Sequence, residues 1–148
     1  MHVLIQNTQK DLKLSKRAAR KYILAALQFL DVSADEIHVN FVTEKKICFI
    51  HERFFNDPSP TDCITLPLDE DEESFGYKLL GEVFICPKAA LSYPDPYKET
   101  GLYIVHTLLH LIGYRDGKPE ERLKMRRVEK RVLAHLYKKN LRLDMEIV

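Results

Sequence analysis

No stretch of this chain is long and apolar enough to span a bilayer, because Arg, Lys, Asp or Glu interrupts every candidate run. A membrane span is therefore not expected. The first residues, MHVLIQNTQKDLKL, lack a basic segment followed by a long apolar stretch, so no secretory leader is expected either. Cysteine is scarce. Cys48, Cys63 and Cys86 are odd in number, widely spaced and set among apolar residues. That pattern points away from a disulfide framework and toward reduced core thiols in a cytoplasmic protein. There are no internal repeats and no low-complexity linkers. With 148 residues the chain is expected to form one domain over 1–148, burying roughly two-thirds of its unfolded surface. No single sign of charge dominates, since the net charge is +1 and by itself names no partner.

The charges that are present are unevenly placed. DEDEE, at 69 to 73, is an acidic run, whereas residues 118 to 142 hold ten Lys or Arg against three Glu. A solvated helix face explains such a basic segment, and so does a surface that meets phosphates. HVLIQ (2–6) reads as a strand, and residues 15–30 as a helix capped by Ser15. In 36–43 Ile37, Val39 and Phe41 alternate with Glu36, His38 and Asn40, as in a half-buried strand. A second helix is expected over 44–55, broken by NDPSP at 56–60. Strands follow at 61–69 and 79–87, joined across the acidic loop as a long hairpin. Residues 98–114 are apolar around nearly the whole helical circumference and predict a buried helix. The last helix, about 119–139, has a core stripe of Met125, Val128, Val132, Leu133 and Leu136. Helices mixed with about four strands make an α+β domain.

HTLLHLIGYRD, residues 106 to 116, carries the chemistry. His106 and His110 share one helix face. The pair alone fits a buried helix with two hydrogen-bonded histidines as well as it fits a metal site. Gly113 and Asp116 separate the two readings. A helix cannot bring residue 116 back to the face of 106 and 110, so the chain must turn, and glycine makes the turn accessible. Two imidazoles and a carboxylate then form a three-ligand site with an open position, the catalytic pattern for zinc. The same donor set also describes non-haem iron centres. The expected cofactor is one divalent metal ion, Zn²⁺ foremost. His51 and His135 are remote in sequence and receive no ligand role, and His2 and His38 are expected at the surface. The spacing is similar to the long metzincin zinc motif, a zincin-like metal helix. In zinc proteases of that kind a general-base Glu follows the first histidine. Thr107 stands there instead, which argues against a peptidase.

Three ordered segments make the chain resemble the YbeY family of bacterial rRNA-maturation factors. His106-Thr-Leu-Leu-His110-Leu-Ile-Gly113-Tyr114-Arg115-Asp116 is similar to the family pattern H-G-x-L-H-L-x-G-Y-D-H. Thr61-Asp62-Cys63-Ile64-Thr65-Leu66-Pro67 resembles T-D-V-L-S-F-P, and Leu80-Gly81-Glu82-Val83-Phe84-Ile85-Cys86 resembles L-G-D-I-x-I-C. The resemblance covers nearly the whole chain. It implies a small sheet flanked by helices with a metal at one end of a cleft. It also implies a metal-dependent, single-strand-specific endoribonuclease in rRNA maturation and ribosome quality control. The implied partners are rRNA or other single-stranded RNA and the ribosome or ribosomal proteins. Two departures matter. The family's third histidine is Asp116, and its functional arginine, in L-N-x-x-Y-R-G, aligns with Phe55. Arg53 and Arg115 are the nearby cations.

The expected metal ligands are His106, His110 and Asp116, with Asp62, Glu82 and Arg115 as candidate helpers beside Thr61 and Thr65. No aromatic-rich platform for single-stranded RNA is evident beyond Phe54, Phe55 and Tyr114, and residues of this kind most often belong to a core. The alternative function is a non-catalytic ribosome-assembly or RNA-binding factor with a structural metal. A metal hydrolase acting on another substrate is a third.

Overall fold

The computed structural model describes residues 1–67 and 76–147. Its elements run β1 (His2–Asn7), α1 (Lys16–Phe29), β2 (Glu36–Phe41), α2 (Glu44–Phe55), β3 (Cys63–Pro67), β4 (Leu79–Ile85), a 3₁₀ turn (Pro87–Ala90), α3 (Pro96–Leu111) and α4 (Pro119–Lys138). The strands form one mixed sheet in the order β1-β2-β4-β3. β1 and β2 are parallel, as are β2 and β4, while β3 runs antiparallel to β4. The α+β architecture read from the sequence is therefore the one observed. β3 and β4 pair as the hairpin reading requires, but the acidic run at 69 to 73 lies outside the described residues.

Strand alternation decides what each face of the sheet meets. Val3, Ile5, Ile37, Val39, Phe41, Val83 and Ile85 join the large core with α1, α3 and α4. Phe84 and Ile64 face the other way and pack with Ile47 and Ile50 of α2 in a smaller cluster. Ser15 caps α1 by accepting from the Ala18 amide at 3.1 Å. α3 starts two residues before the expected position, because Asp95 supplies the cap (3.1 Å to the Lys98 amide) and Pro96 suits the first turn. The 3₁₀ turn was not expected from the sequence. Among the described residues no helix is long and apolar enough to cross a membrane.

Two close approaches fix α3. A methyl at Gly101 would stand 2.4 Å from the Tyr22 hydroxyl of α1. A methyl at Gly81 of β4 would stand 2.4 Å from Leu111 Cδ2 and 3.0 Å from the Leu66 carbonyl. Leu108 and Leu109 are fully buried between these contacts. Truncating either to Ala would cost about 2–5 kcal/mol.

Candidate metal centre

α3 ends in a turn that sets the ligands. Gly113 adopts φ +106°, a conformation that side chains other than glycine rarely take. Its amide donates to the His110 carbonyl (3.1 Å) and the Tyr114 amide donates to the Leu109 carbonyl (3.0 Å). This is the Schellman pattern of paired end-of-helix bonds. The turn then aims the Tyr114 carbonyl back at His110 Nδ1, at 3.0 Å, and carries Asp116 over the two imidazoles.

These contacts assign the histidine tautomers. A carbonyl only accepts, so His110 Nδ1 carries the proton and its neutral ring keeps a lone pair on Nε2. His106 Nδ1 faces the Glu129 carboxylate at 3.5 Å, which selects the same tautomer. The two Nε2 atoms then stand 3.1 Å apart. Asp116 Oδ2 lies 3.2 Å from His110 Nε2 and 3.7 Å from His106 Nε2. Three electron pairs converge with no proton between them, an arrangement that a shared cation stabilises. Ligand bonds of about 2.0–2.1 Å in tetrahedral zinc geometry imply ligand separations of roughly 3.3 Å, close to those found. Without a cation, a proton is the alternative occupant. Accordingly the Glu129 carboxylate holds the His106 pKa above its usual value, with Asp116 and Asp62 adding to the effect and burial opposing it.

Glu129 was not singled out by sequence reading. It projects from α4 and is only 7% exposed. The signal lay in the core stripe: Glu129 sits four residues after Met125 and three before Val132, a charge among buried apolar positions. A carboxylate behind a ligating imidazole orients the ring and raises its basicity.

An open cleft of about 520 Å³ lies in front of the three groups. Thr61, Asp62, Cys63, Ile64, Thr65 and Pro67 of the β3 segment form one wall, and His51 and Phe55 of α2 form another. β3 begins at Cys63 rather than at residue 61, which leaves Asp62 exposed at the cleft edge. The Cys63 thiol donates to Asp62 Oδ1 at 3.3 Å. Burial, reinforced by the Asp62 charge, pushes the Cys63 pKa well up, so the thiol stays protonated. Thr107 is fully buried and donates to the Ile104 carbonyl at 2.7 Å, and it does not line the cleft.

Other candidates stand elsewhere. Glu82 points to the α2 side of the sheet and accepts from Asn40 Nδ2 at 3.2 Å. Arg115 lies behind the turn with Tyr114, Glu121 and Lys124. Arg53 is exposed and does not line the cleft. Phe54 and Phe55 correct the core expectation, since each is 54% exposed; α2 buries only Ile47 and Ile50, both before its last turn. Tyr114 does pack partly against the large core. His135 stacks on Phe29, 4.5 Å between centroids, remote from the ligand cluster. The α4 cations Lys124, Arg126, Arg127, Lys130 and Arg131 are all exposed. Arg122 ties that helix to the site by donating to the Asp116 carbonyl at 3.1 Å.

Comparison with known proteins gives this geometry its context. A family model described as endoribonuclease YbeY matches residues 4–137. A Protochlamydia amoebophila protein named endoribonuclease YbeY is 44% identical over 140 residues, covering 91% of this chain and 93% of the relative. A Chlamydia felis protein of the same name is 40% identical over 146 residues, covering 93% and 92%. The solution structure of TM1509 from Thermotoga maritima aligns with a TM-score of 0.63 at 19% identity, over 93% of this chain and 90% of that one. That likeness establishes a shared fold.

Proposed function

The chain belongs to the endoribonuclease YbeY family, and from that premise we propose that it is a metal-dependent endoribonuclease that cuts single-stranded RNA during rRNA maturation and ribosome quality control. The observation that carries the metal dependence is the convergence of His106 Nε2, His110 Nε2 and Asp116 Oδ2 at 3.1 to 3.7 Å, with both imidazole protons engaged on the far side. The membership itself supports RNA as the substrate.

A divalent cation held there, zinc foremost, supplies Lewis acidity at a phosphoryl oxygen and lowers the pKa of a nearby water. The chain's own groups do the remainder. Glu129 and the Tyr114 carbonyl hold the two imidazoles in the ligating tautomer. Besides Asp116, Asp62 is the only carboxylate lining the cleft among the described residues, and its Oδ2 is left open by the Cys63 contact. We assign it the proton acceptor for the attacking hydroxyl, a role worth about 10²- to 10⁴-fold in rate. The exposed cations of α4 hold the RNA backbone electrostatically, with the salt dependence that follows. The three free cysteines fit a cytoplasmic setting, and ribosomal proteins are the partners this role implies.

One observation favours a second reading, a non-catalytic assembly factor with a structural metal: no Lys or Arg lines the cleft among the described residues. The deciding experiment pairs metal content by mass spectrometry with cleavage of a single-stranded RNA, for wild type, His110→Ala and Asp62→Asn. The catalytic reading expects about one zinc per chain, lost in His110→Ala but kept in Asp62→Asn, with cleavage impaired in both. A folded, metal-loaded wild type that binds RNA and never cleaves it gives the assembly-factor reading first place.

A further inference from the structure

The cleft in front of the metal ligands has an aromatic wall with no counterpart in the roles assigned so far. Phe55 lines that cleft and leaves 54% of its surface open to water. Its ring is supported on one side. The His51 ring lies 5.8 Å from it at 57°. His51 is itself fixed, since its Nδ1 donates to the Ser59 carbonyl at 2.8 Å and its Nε2 lies 3.8 Å from Asp57 Oδ2. α2 stops one residue later, at Asn56 with φ 55°, so no further helical turn covers the ring.

The charge of the cleft limits what it can grip. Its described lining holds two carboxylates, Asp62 and Asp116, and neither Lys nor Arg. A polyanion inside the cleft meets no cationic side chain among the described residues, so the α4 cations can hold the backbone only outside it, and recognition within the cleft beyond the metal falls to the bases. Stacking on an aromatic ring serves that purpose for any base, and is worth roughly five- to 150-fold in affinity per base.

We propose that Phe55 is a stacking platform for one unpaired base of the RNA, beside the phosphate presented to His106, His110 and Asp116. The inference rests on the endoribonuclease reading and adds a source of strand selectivity to it. In a duplex the bases are already stacked on one another and offer no free face, whereas a single strand can splay one out onto the ring. The His51 ring, held by the Ser59 carbonyl, stands beside the platform.

The chain contains no tryptophan, so Phe55→Trp places a single indole reporter at the platform. The probes are a fluorescein-labelled oligouridylate of roughly ten nucleotides and an abasic oligomer with the same number of phosphates. Indole emission and fluorescein polarisation are read on the same samples. Quenching by oligouridylate is expected, saturating together with polarisation, with little response to the abasic oligomer. In Phe55→Ala, binding of oligouridylate should weaken about fivefold or more, binding of the abasic oligomer should hold, and Phe55→Tyr should restore the difference. Thermal melting should be nearly unchanged in all three, because the ring is not part of the core. Polarisation that reports binding while the indole stays silent, or responds equally to the abasic oligomer, overturns the proposal and leaves the nuclease reading intact. A wild-type protein that binds neither oligomer overturns both.

Discussion

His106 and His110 share one face of α3 and aim the same ring nitrogen at Asp116, yet they are held by different means. His110 leans on a backbone carbonyl four residues ahead, supplied by the turn that ends its own helix. His106 leans on a carboxylate from another helix, Glu129, buried in the α3–α4 seam. The first support is local and made of main chain. The second is a single side chain brought in by tertiary packing, and it carries a charge. The difference teaches where the site is robust and where it is tunable. No side-chain substitution deletes the Tyr114 carbonyl, whereas one substitution in α4 removes the support of His106.

The comparison can be broken from either side. The largest effect belongs to the ligands themselves: His110→Ala should lose the metal and lower RNA cleavage by about 10³-fold or more, the loss of several kcal/mol of charge stabilisation. Next comes the remote support. Glu129→Gln keeps the shape but not the charge behind His106, and metal affinity measured by competition with a chelator should fall about 10- to 100-fold. An unchanged affinity would mean that the carboxylate serves packing alone. The local support is tested through its glycine. Gly113→Ala forces a side chain into φ +106° and should cost about 1–2 kcal/mol in denaturant unfolding, with looser metal binding as the Tyr114 carbonyl shifts.

The smallest effect is a pH dependence, and it should belong to His106. Its pKa is raised in the folded, metal-free protein. That contribution to stability is fully present below the ordinary histidine value and is lost as pH rises through the raised one. Thermal melting of metal-free protein followed across neutral pH should show this decline, and Glu129→Gln should flatten it. A bound metal reverses the dependence, because metal and proton compete for the same ring and acid releases the metal.

The two supports were not equally legible in the sequence. The His110 side of the site was readable because it is local: histidine, glycine and aspartate lie within one helix end, and helix geometry dictates that the chain must turn. The Asp116 placement follows from the same argument. The Glu129 tie spans 23 residues between helices that no short pattern links. Its mark was a charged residue inside the stripe of Met125, Val132 and Leu136. Arg115 and Glu82 lie inside the motif segments, but side-chain direction sends each away from the cleft. Phe55 departs from expectation for a related reason. Aromatics usually find a core, and the sequence does not reveal that the small cluster under α2 ends before the last turn of that helix does.

Gly81 bears on how this architecture tolerates change. Its absent methyl lets β4 lie against Leu111, the residue next to His110, while β3 beside it supplies the cleft wall. The spacing between ligands and wall is thus gauged by one hydrogen atom at a strand position far from the metal in sequence. A side chain there meets Leu111 on one side and the Leu66 carbonyl on the other, so it is expected to act as a shim between hairpin and helix end. A protein altered in this way is expected to load its metal and to bind RNA less tightly, which metal content and polarisation read on the same variant would check.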